Sequence, residues 1–364
     1  MDRRMRLFFY LFLALSTAAV SVDVAYQHSP LWSYKIGGKV NSMEYNKDKI
    51  FVGSDDNILY AISKNGYLSW KYPADNVITG LHAGDDIVFS SMDGLIYMVD
   101  YNGTTKWSRR LPSYVGYDKA IHSRNGIVSV GLVNGVIYVL DKYGAEIGEY
   151  NTGGYVLETR VLEDRIIAVS DRQVFSLDLN GTLVGTFNLN KFVRTASVTD
   201  DYVVVGLNDG EVYCYDVSGT LFWAYKTDDQ IGTVHADKNL VSAGTKNKRL
   251  FLFNVNSSLM WQRDTSDSIA ATFISEPYVA VSTLDNKVYL YYTDGRLKWI
   301  YPTEGRVLNL LISDKYLISG TNGGWVDLSE LPQKSKDEVM FVAASVAVLL
   351  LFAFLISVRS ILKT

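Results

Sequence analysis

A single cysteine, Cys214, in 364 residues excludes an intramolecular disulfide and every fold that depends on one. Histidine is nearly as scarce: His28, His82, His122 and His235 stand at separations that match no metal-ligand spacing, so no metal centre is expected. No window repeats its apolar residues at the 3.6-residue period of an amphipathic helix, which excludes the helical repeat folds. Basic charge is not in excess either. The net charge is −4, and no Lys/Arg cluster is interleaved with aromatics, which argues against a nucleic-acid partner. Glycine-rich phosphate loops, nucleophile elbows and paired-carboxylate motifs are missing. No catalytic residue and no cofactor is therefore expected.

What the chain does carry is 25 Tyr and 7 Trp with only 6 Pro, an aromatic composition that favours an all-β chain. Residues 212–225 show the unit. Val212, Tyr213 and Tyr215 lead into a turn over Asp216, Val217, Ser218 and Gly219, and the chain resumes with Leu221, Trp223 and Tyr225. Two β-branched and aromatic runs around a glycine-containing turn read as a hairpin. Similar hairpins occupy residues 59–72, 96–107, 251–261 and 289–301. Cys214 lies inside the unit and reads as a small buried hydrophobe.

Aligning the hairpins brings Trp32, Trp70, Trp107, Gly148, Gly185, Trp223, Trp261 and Trp299 into one position, at intervals of 38, 37, 41, 37, 38, 38 and 38. Three short strands precede each of these, for example 40–45, 50–52 and 58–62 before Trp70. Gly, Asn and Asp recur in the turns, supplying the positive φ angles that tight hairpins need. Four strands per unit make a propeller blade. The strand around Trp32 has nothing before it, and the last unit, 307–328, lacks its fourth strand. The first can complete the second. The expectation is an all-β, eight-bladed β-propeller of four-stranded blades closed by the N-terminal strand, over residues 30–328.

Units such as Val52-Gly53-Ser54-Asp55-Asp56-Asn57-Ile58-Leu59-Tyr60-Ala61-Ile62, followed by Asn65-Gly66 and Leu68-Ser69-Trp70-Lys71-Tyr72, resemble the repeats of pyrroloquinoline-quinone-type propellers. That superfamily includes quinoprotein dehydrogenases and the propeller lipoprotein of bacterial outer-membrane assembly. The resemblance implies that Trp32, Trp70, Trp107, Trp223, Trp261 and Trp299 pack between blades as a girdle. At Gly148 and Gly185 either Tyr150 and Phe187 pack instead, or a shallow surface is left. The dehydrogenases of the family add a vicinal Cys-Cys pair and a Thr-Gly ahead of the docking Trp, and both are missing here.

Both termini carry membrane signals. Arg3, Arg4 and Arg6 precede the apolar run 7–15 and small residues 16–21, the order of a secretory signal over residues 1–21, either cleaved or kept as an anchor. Residues 339–358 hold 20 positions without a charge, enough for one transmembrane helix. Residues 329–338 read as a linker. Arg359 and Lys363 place the tail, 359–364, in the cytoplasm and the propeller outside the cell membrane, as a single-pass protein.

Three sequons, at Asn102, Asn180 and Asn256, fall in turns between third and fourth strands. They are glycan acceptors if the host glycosylates, although Asn-Gly is itself a favoured turn. By topology their face should be the one from which the linker leaves, with the opposite face free for binding. Two residues past each leading apolar position, the inner strands give Ser42, Thr79, Glu158, Thr195, Thr233, Ala271 and Asn309, with Ala120 in blade three, a small polar ring around a wet channel. Glu158, Arg160 and Arg194 add charge on blades four and five, read as the pair lacking Trp, and form either a channel ligand site or a local salt-bridge network. The expected role is a protein-binding scaffold among other membrane or envelope proteins. A quinone-dependent dehydrogenase and a small-ligand or glycan receptor are the alternatives.

Overall fold

A computed structural model of the protein describes residues 26–256 and 258–332. The signal segment at 1–21 and the expected span at 339–358 and tail lie outside the described residues, as does most of the linker. Among the described residues no helix is long and apolar enough to cross a membrane. The described residues form eight sheets. Blade one pairs Val40–Asn46, Lys49–Ser54, Ile58–Ser63 and Leu68–Pro73 in simple antiparallel order, and six further blades repeat that order. The eighth is composite: Val307–Ser313, Tyr316–Thr321 and Trp325–Glu330 are completed by Trp32–Lys35, with Trp32 opposite Leu328 and Lys35 opposite Trp325. The ring is therefore closed by its own beginning, and its last strand runs on past residue 328.

Each strand's place in the blade is written in its burial. Second strands are buried on both faces, as Ile50, Phe51 and Val52 show, and they read as unbroken apolar runs. Fourth strands alternate between half-buried and exposed, as in Leu68–Pro73. Eight separate apolar clusters fill the wedges between neighbouring blades, so the core is a ring of cores. A glycine ends several second strands for a steric reason. A Cβ on Gly206 would stand 2.4 Å from Ile231 Cγ2, the leading residue of the next inner strand, and Gly244 meets Ile269 in the same way.

Strand direction alternates through each blade, so first-to-second and third-to-fourth turns share one face, and second-to-third turns share the other with the blade-to-blade loops. Trp325–Glu330 is a third strand. Its end, and thus the chain's exit, lies on the face that carries Asn102, Asn180 and Asn256, all three exposed.

Third-to-fourth turns are held by an aspartate. Asp216 Oδ1 accepts the backbone N–H groups of Ser218 (2.9 Å) and Thr220 (2.8 Å). Asp100, Asp141 and Asp178 do the same in their own blades. Asp216→Ala should cost roughly 1–2 kcal/mol in denaturant unfolding by stranding those donors. Asp216→Asn should recover most of it, because Asn254 already fills this position in blade six, accepting from Asn256 N at 2.9 Å.

Candidate functional site

Two regions of the ring combine exposed or channel-facing groups with chemistry: the girdle and mouth of blades three to five, and the central channel.

The girdle comes first because it fixes blade spacing. Trp70 Nε1 donates to Tyr101 O in the next blade's turn (3.0 Å), and its indole lies where a Cβ on Gly103 would fall. The pattern recurs at Trp32, Trp107, Trp223 and Trp261, each donating to a carbonyl of the following turn at 2.9–3.0 Å. Trp299 departs from it. Blade eight has no third-to-fourth turn to receive it, and His28 stacks on its ring instead, 4.5 Å between centroids. Tyr26–Gln27 then pairs in parallel with Trp299 and Ile300 as a fifth strand. Nothing in the repeat spacing announced that strand.

Gly148 and Gly185 sit on the fourth strands of blades three and four, not four and five as the sequence count had it. At Gly185 the docking role passes to Phe187, whose ring lies 2.7 Å from where a Cβ on Gly219 would be. At Gly148 the neighbouring turn closes directly onto the backbone: a Cβ there would meet Asn180 O at 2.0 Å. Tyr150 packs deeper, 5.5 Å from Phe175.

The 41-residue interval has a local cause. Every other inner strand opens with a paired leading residue, one bulged residue and the next paired one, as Val40, Asn41, Ser42. In blade three four residues, Gly116, Tyr117, Asp118 and Lys119, occupy the place of that single bulge between Val115 and Ala120. The register also puts Gly80, not Thr79, at the level of Ser42, since Gly80 pairs with Ser90 as Ser42 pairs with Gly53. The insertion reaches inward. Lys119 O accepts from Thr159 N of blade four (3.0 Å) and Lys119 Nζ donates to Ala196 O of blade five (3.3 Å).

At the channel mouth opposite the exit face, the insertion's Tyr117 joins Tyr155 and Phe192 from the loops entering blades four and five. They are 39%, 41% and 48% exposed, high values for side chains of this size. Tyr117 and Tyr155 stack with centroids 6.2 Å apart, and the Arg172 guanidinium lies 4.0 Å above the Phe192 ring. Tyr117, Tyr155 and Phe192 line, with Arg194, a small depression of about 150 Å³.

The channel encloses about 840 Å³. Inner strands of a propeller do not pair with one another, so their channel-side N–H groups need other acceptors. At four of five consecutive junctions, side chains four residues past the leading position supply them. His82 Nδ1 accepts Ser123 N (3.1 Å), His122 Nδ1 accepts Val161 N (3.3 Å), Ser197 Oγ accepts Ala236 N (3.0 Å) and His235 Nδ1 accepts Ile274 N (3.1 Å). At blade four this position is Arg160, which has no acceptor. Glu158, two residues earlier, takes over and accepts Val198 N through Oε1 at 2.8 Å. On blades seven, eight and one the position holds Phe273, Leu311 and Glu44.

The three histidines, on blades two, three and six, thus line one channel in one role. The His82 and His122 rings stand 3.9 Å apart. Burial pushes His82 down to about 4 and His235 to about 3, and takes His122 well below its usual range. Each is neutral near pH 7, as an Nδ1 that accepts a backbone N–H requires. Cys214 is fully buried and its thiol is pushed up to about 12, which makes it inert.

Glu158, Arg160 and Arg194 all line the channel, each with a different neighbour. Glu158 is turned into the blade junction, with burial raising its carboxyl. Arg160 pairs with Asp200 (3.2 Å), which also holds Arg124 (2.9 Å). Arg194 opens onto the aromatic mouth on the other side.

A family model described as outer membrane protein assembly factor BamB matches residues 19–178 and again 170–315. Among solved structures, BamB from Moraxella catarrhalis is 18% identical, with a TM-score of 0.71 over 83% of this chain and 99% of that one. The computationally designed Ika8 protein is 17% identical, with a TM-score of 0.77 over 84% and 100%. Saccharomyces cerevisiae Sqt1 is 12% identical, with a TM-score of 0.74 over 85% and 100%. Likeness at these identities is likeness of fold. No curated protein matches the chain.

Proposed function

The chain belongs to the family described as outer membrane protein assembly factor BamB, and from that premise we propose that it is a membrane-anchored, extracytoplasmic propeller acting as a protein-binding scaffold within an envelope or membrane protein complex. The observation that carries this reading is the aromatic and arginine cluster of Tyr117, Tyr155, Phe192, Arg172 and Arg194 on the face turned away from the chain's exit. Tyr, Phe and Arg are the residues that dominate the energetic centres of protein interfaces. The loops presenting them are fixed by a rigid ring, which suits recognition. Anchoring rests on the uncharged run 339–358 and the basic residues after it, which would hold the exit face toward the membrane and leave the aromatic mouth outermost. Asn102, Asn180 and Asn256 would then carry glycans on the membrane-proximal side, where they leave that mouth uncovered.

Catalysis forms no part of the proposal, because the family's assembly members are described by assembly and the dehydrogenase motifs are missing from this chain. The test is purification from membranes in mild detergent. A stoichiometric protein partner should co-purify with the wild type and fall by at least about tenfold with the Tyr155→Ala/Phe192→Ala double variant. Equal recovery with both chains, or a chain that purifies alone, counts against the scaffold reading.

A further inference from the structure

We propose that the central channel is a binding site for a small oxyanion of the carboxylate type, held by Arg160, Lys119 and the Nε2–H groups of His82, His122 and His235. The inference is independent of the aromatic mouth and would stand if the scaffold reading failed.

It starts from the tautomers. A neutral imidazole has one donor and one acceptor nitrogen. In all three histidines Nδ1 is taken as acceptor by the backbone N–H of the next blade. The proton must therefore sit on Nε2, and all three residues line the channel. Three N–H donors from blades two, three and six thus face one space. No acceptor within the described residues bonds them.

Charge in that space points the same way. Arg160 uses Nε for Asp200, leaving the rest of its guanidinium fork uncommitted. It lines the cavity with all three histidines, and its positive charge is felt at each of them and at Glu44 on blade one. Lys119, delivered by the blade-three insertion, acts on Glu44, Glu158 and His235. Among the acids lining the channel, Asp200 is paired to Arg160 and Arg124. Glu158 is turned into the blade junction, and desolvation followed by Asp118 raises Glu44 to about 8, leaving it a protonated donor at neutral pH. The result is a well rich in N–H donors, of a size that admits a small di- or tricarboxylate.

The ligand can be a free anion or the carboxylate of an acidic residue at the tip of a partner's loop. Both present the same group, and two arms of one experiment separate them. The full chain in detergent is titrated at pH 7 and constant ionic strength with sulfate, succinate and citrate against chloride, following the melting temperature and the binding heat. A second titration uses a short peptide with Asp or Glu at its tip and its Asn or Gln counterpart. A saturable rise with a free anion identifies the first source, and a response to the acidic peptide alone identifies the second. In either case Arg160→Gln and Lys119→Gln should each weaken binding by about tenfold or more, the loss typical of a charge-assisted hydrogen bond. Both side chains are partly exposed, so these variants should fold. Wild-type affinity should drop by about tenfold between pH 7 and 9 as Glu44, which faces Asp118, Arg160 and Lys119, loses its proton. Glu44→Gln should abolish that drop. No saturable response to any probe, or equal binding by the Arg160 and Lys119 variants, overturns the proposal.

Discussion

Trp223→Ala is expected to lower the unfolding free energy by about 3–5 kcal/mol, among the largest losses available from a single side chain in this ring. The indole is 8% exposed and belongs to the apolar wedge between blades five and six, with its ring 5.0 Å from Phe253. Its Nε1 donates to Val255 O at 2.9 Å in a turn that has lost its water. Truncation therefore removes apolar burial, opens a void between two rigid sheets that cannot slide together, and strands a buried carbonyl. The last contribution separates from the first two. Trp223→Phe keeps most of the ring and loses only the hydrogen bond, so it should cost about 1–2 kcal/mol. Phe187→Ala, at the junction where a phenyl ring replaces the indole and no N–H bond is made, should fall between the two. Equilibrium denaturation followed by far-UV circular dichroism orders the three. A Trp223→Ala midpoint indistinguishable from wild type would mean that the docking of indole on turn does not hold the blades.

That ordering was only half legible beforehand. The repeat of Trp at near-constant spacing carried the fold, because a blade is a local unit and its turns, bulges and glycines sit at fixed phases. The closure by Trp32–Lys35 followed from counting strands at the two ends. What phase could not carry was contact between repeats. The interval of 41 marked an insertion, yet only the register places four residues at the bulge and sends Lys119 across two blades. His82, Ser197 and His235 share one phase, and His122 joins them once the insertion is subtracted. Read along the chain they are 38 to 75 residues apart and look unrelated. Inner strands converge on the axis, and convergence is what brings the His82 and His122 rings to 3.9 Å. Glu158 was singled out for its charge, whereas its position follows from Arg160: where the repeat places a residue that cannot accept, the nearest acceptor on the strand takes the N–H. The fifth strand at Tyr26–Gln27 left no signal, since it answers a turn that blade eight lacks.

Those channel groups make stability depend on pH in two opposing ways, and substitution should pull them apart. His235 stands at about 3 in the folded protein and near 6.5 when unfolded. A lowered histidine favours the fold fully above its unfolded value, and the benefit drains away as pH falls toward the folded one, because the unfolded chain takes up the proton first. Between pH 7 and 5 this amounts to about 2 kcal/mol. His235→Asn keeps an oxygen able to accept Ile274 N and does not titrate, so its stability should fall less over that interval, by about 2 kcal/mol relative to wild type. Glu44 works the other way. Raised to about 8, it favours the fold fully below its unfolded value and loses that contribution as pH rises through 8. Acidification from pH 7 to 5 therefore strengthens its contribution by roughly 2–3 kcal/mol, which masks one histidine. Glu44→Gln should remove the mask and make the protein more acid-labile than wild type over the same range. Guanidinium melts at pH 5, 6, 7 and 8 for the three chains test both signs at once. If the two variants shift the pH slope in the same direction, the assignment of neutral histidines and a protonated Glu44 to one channel is wrong.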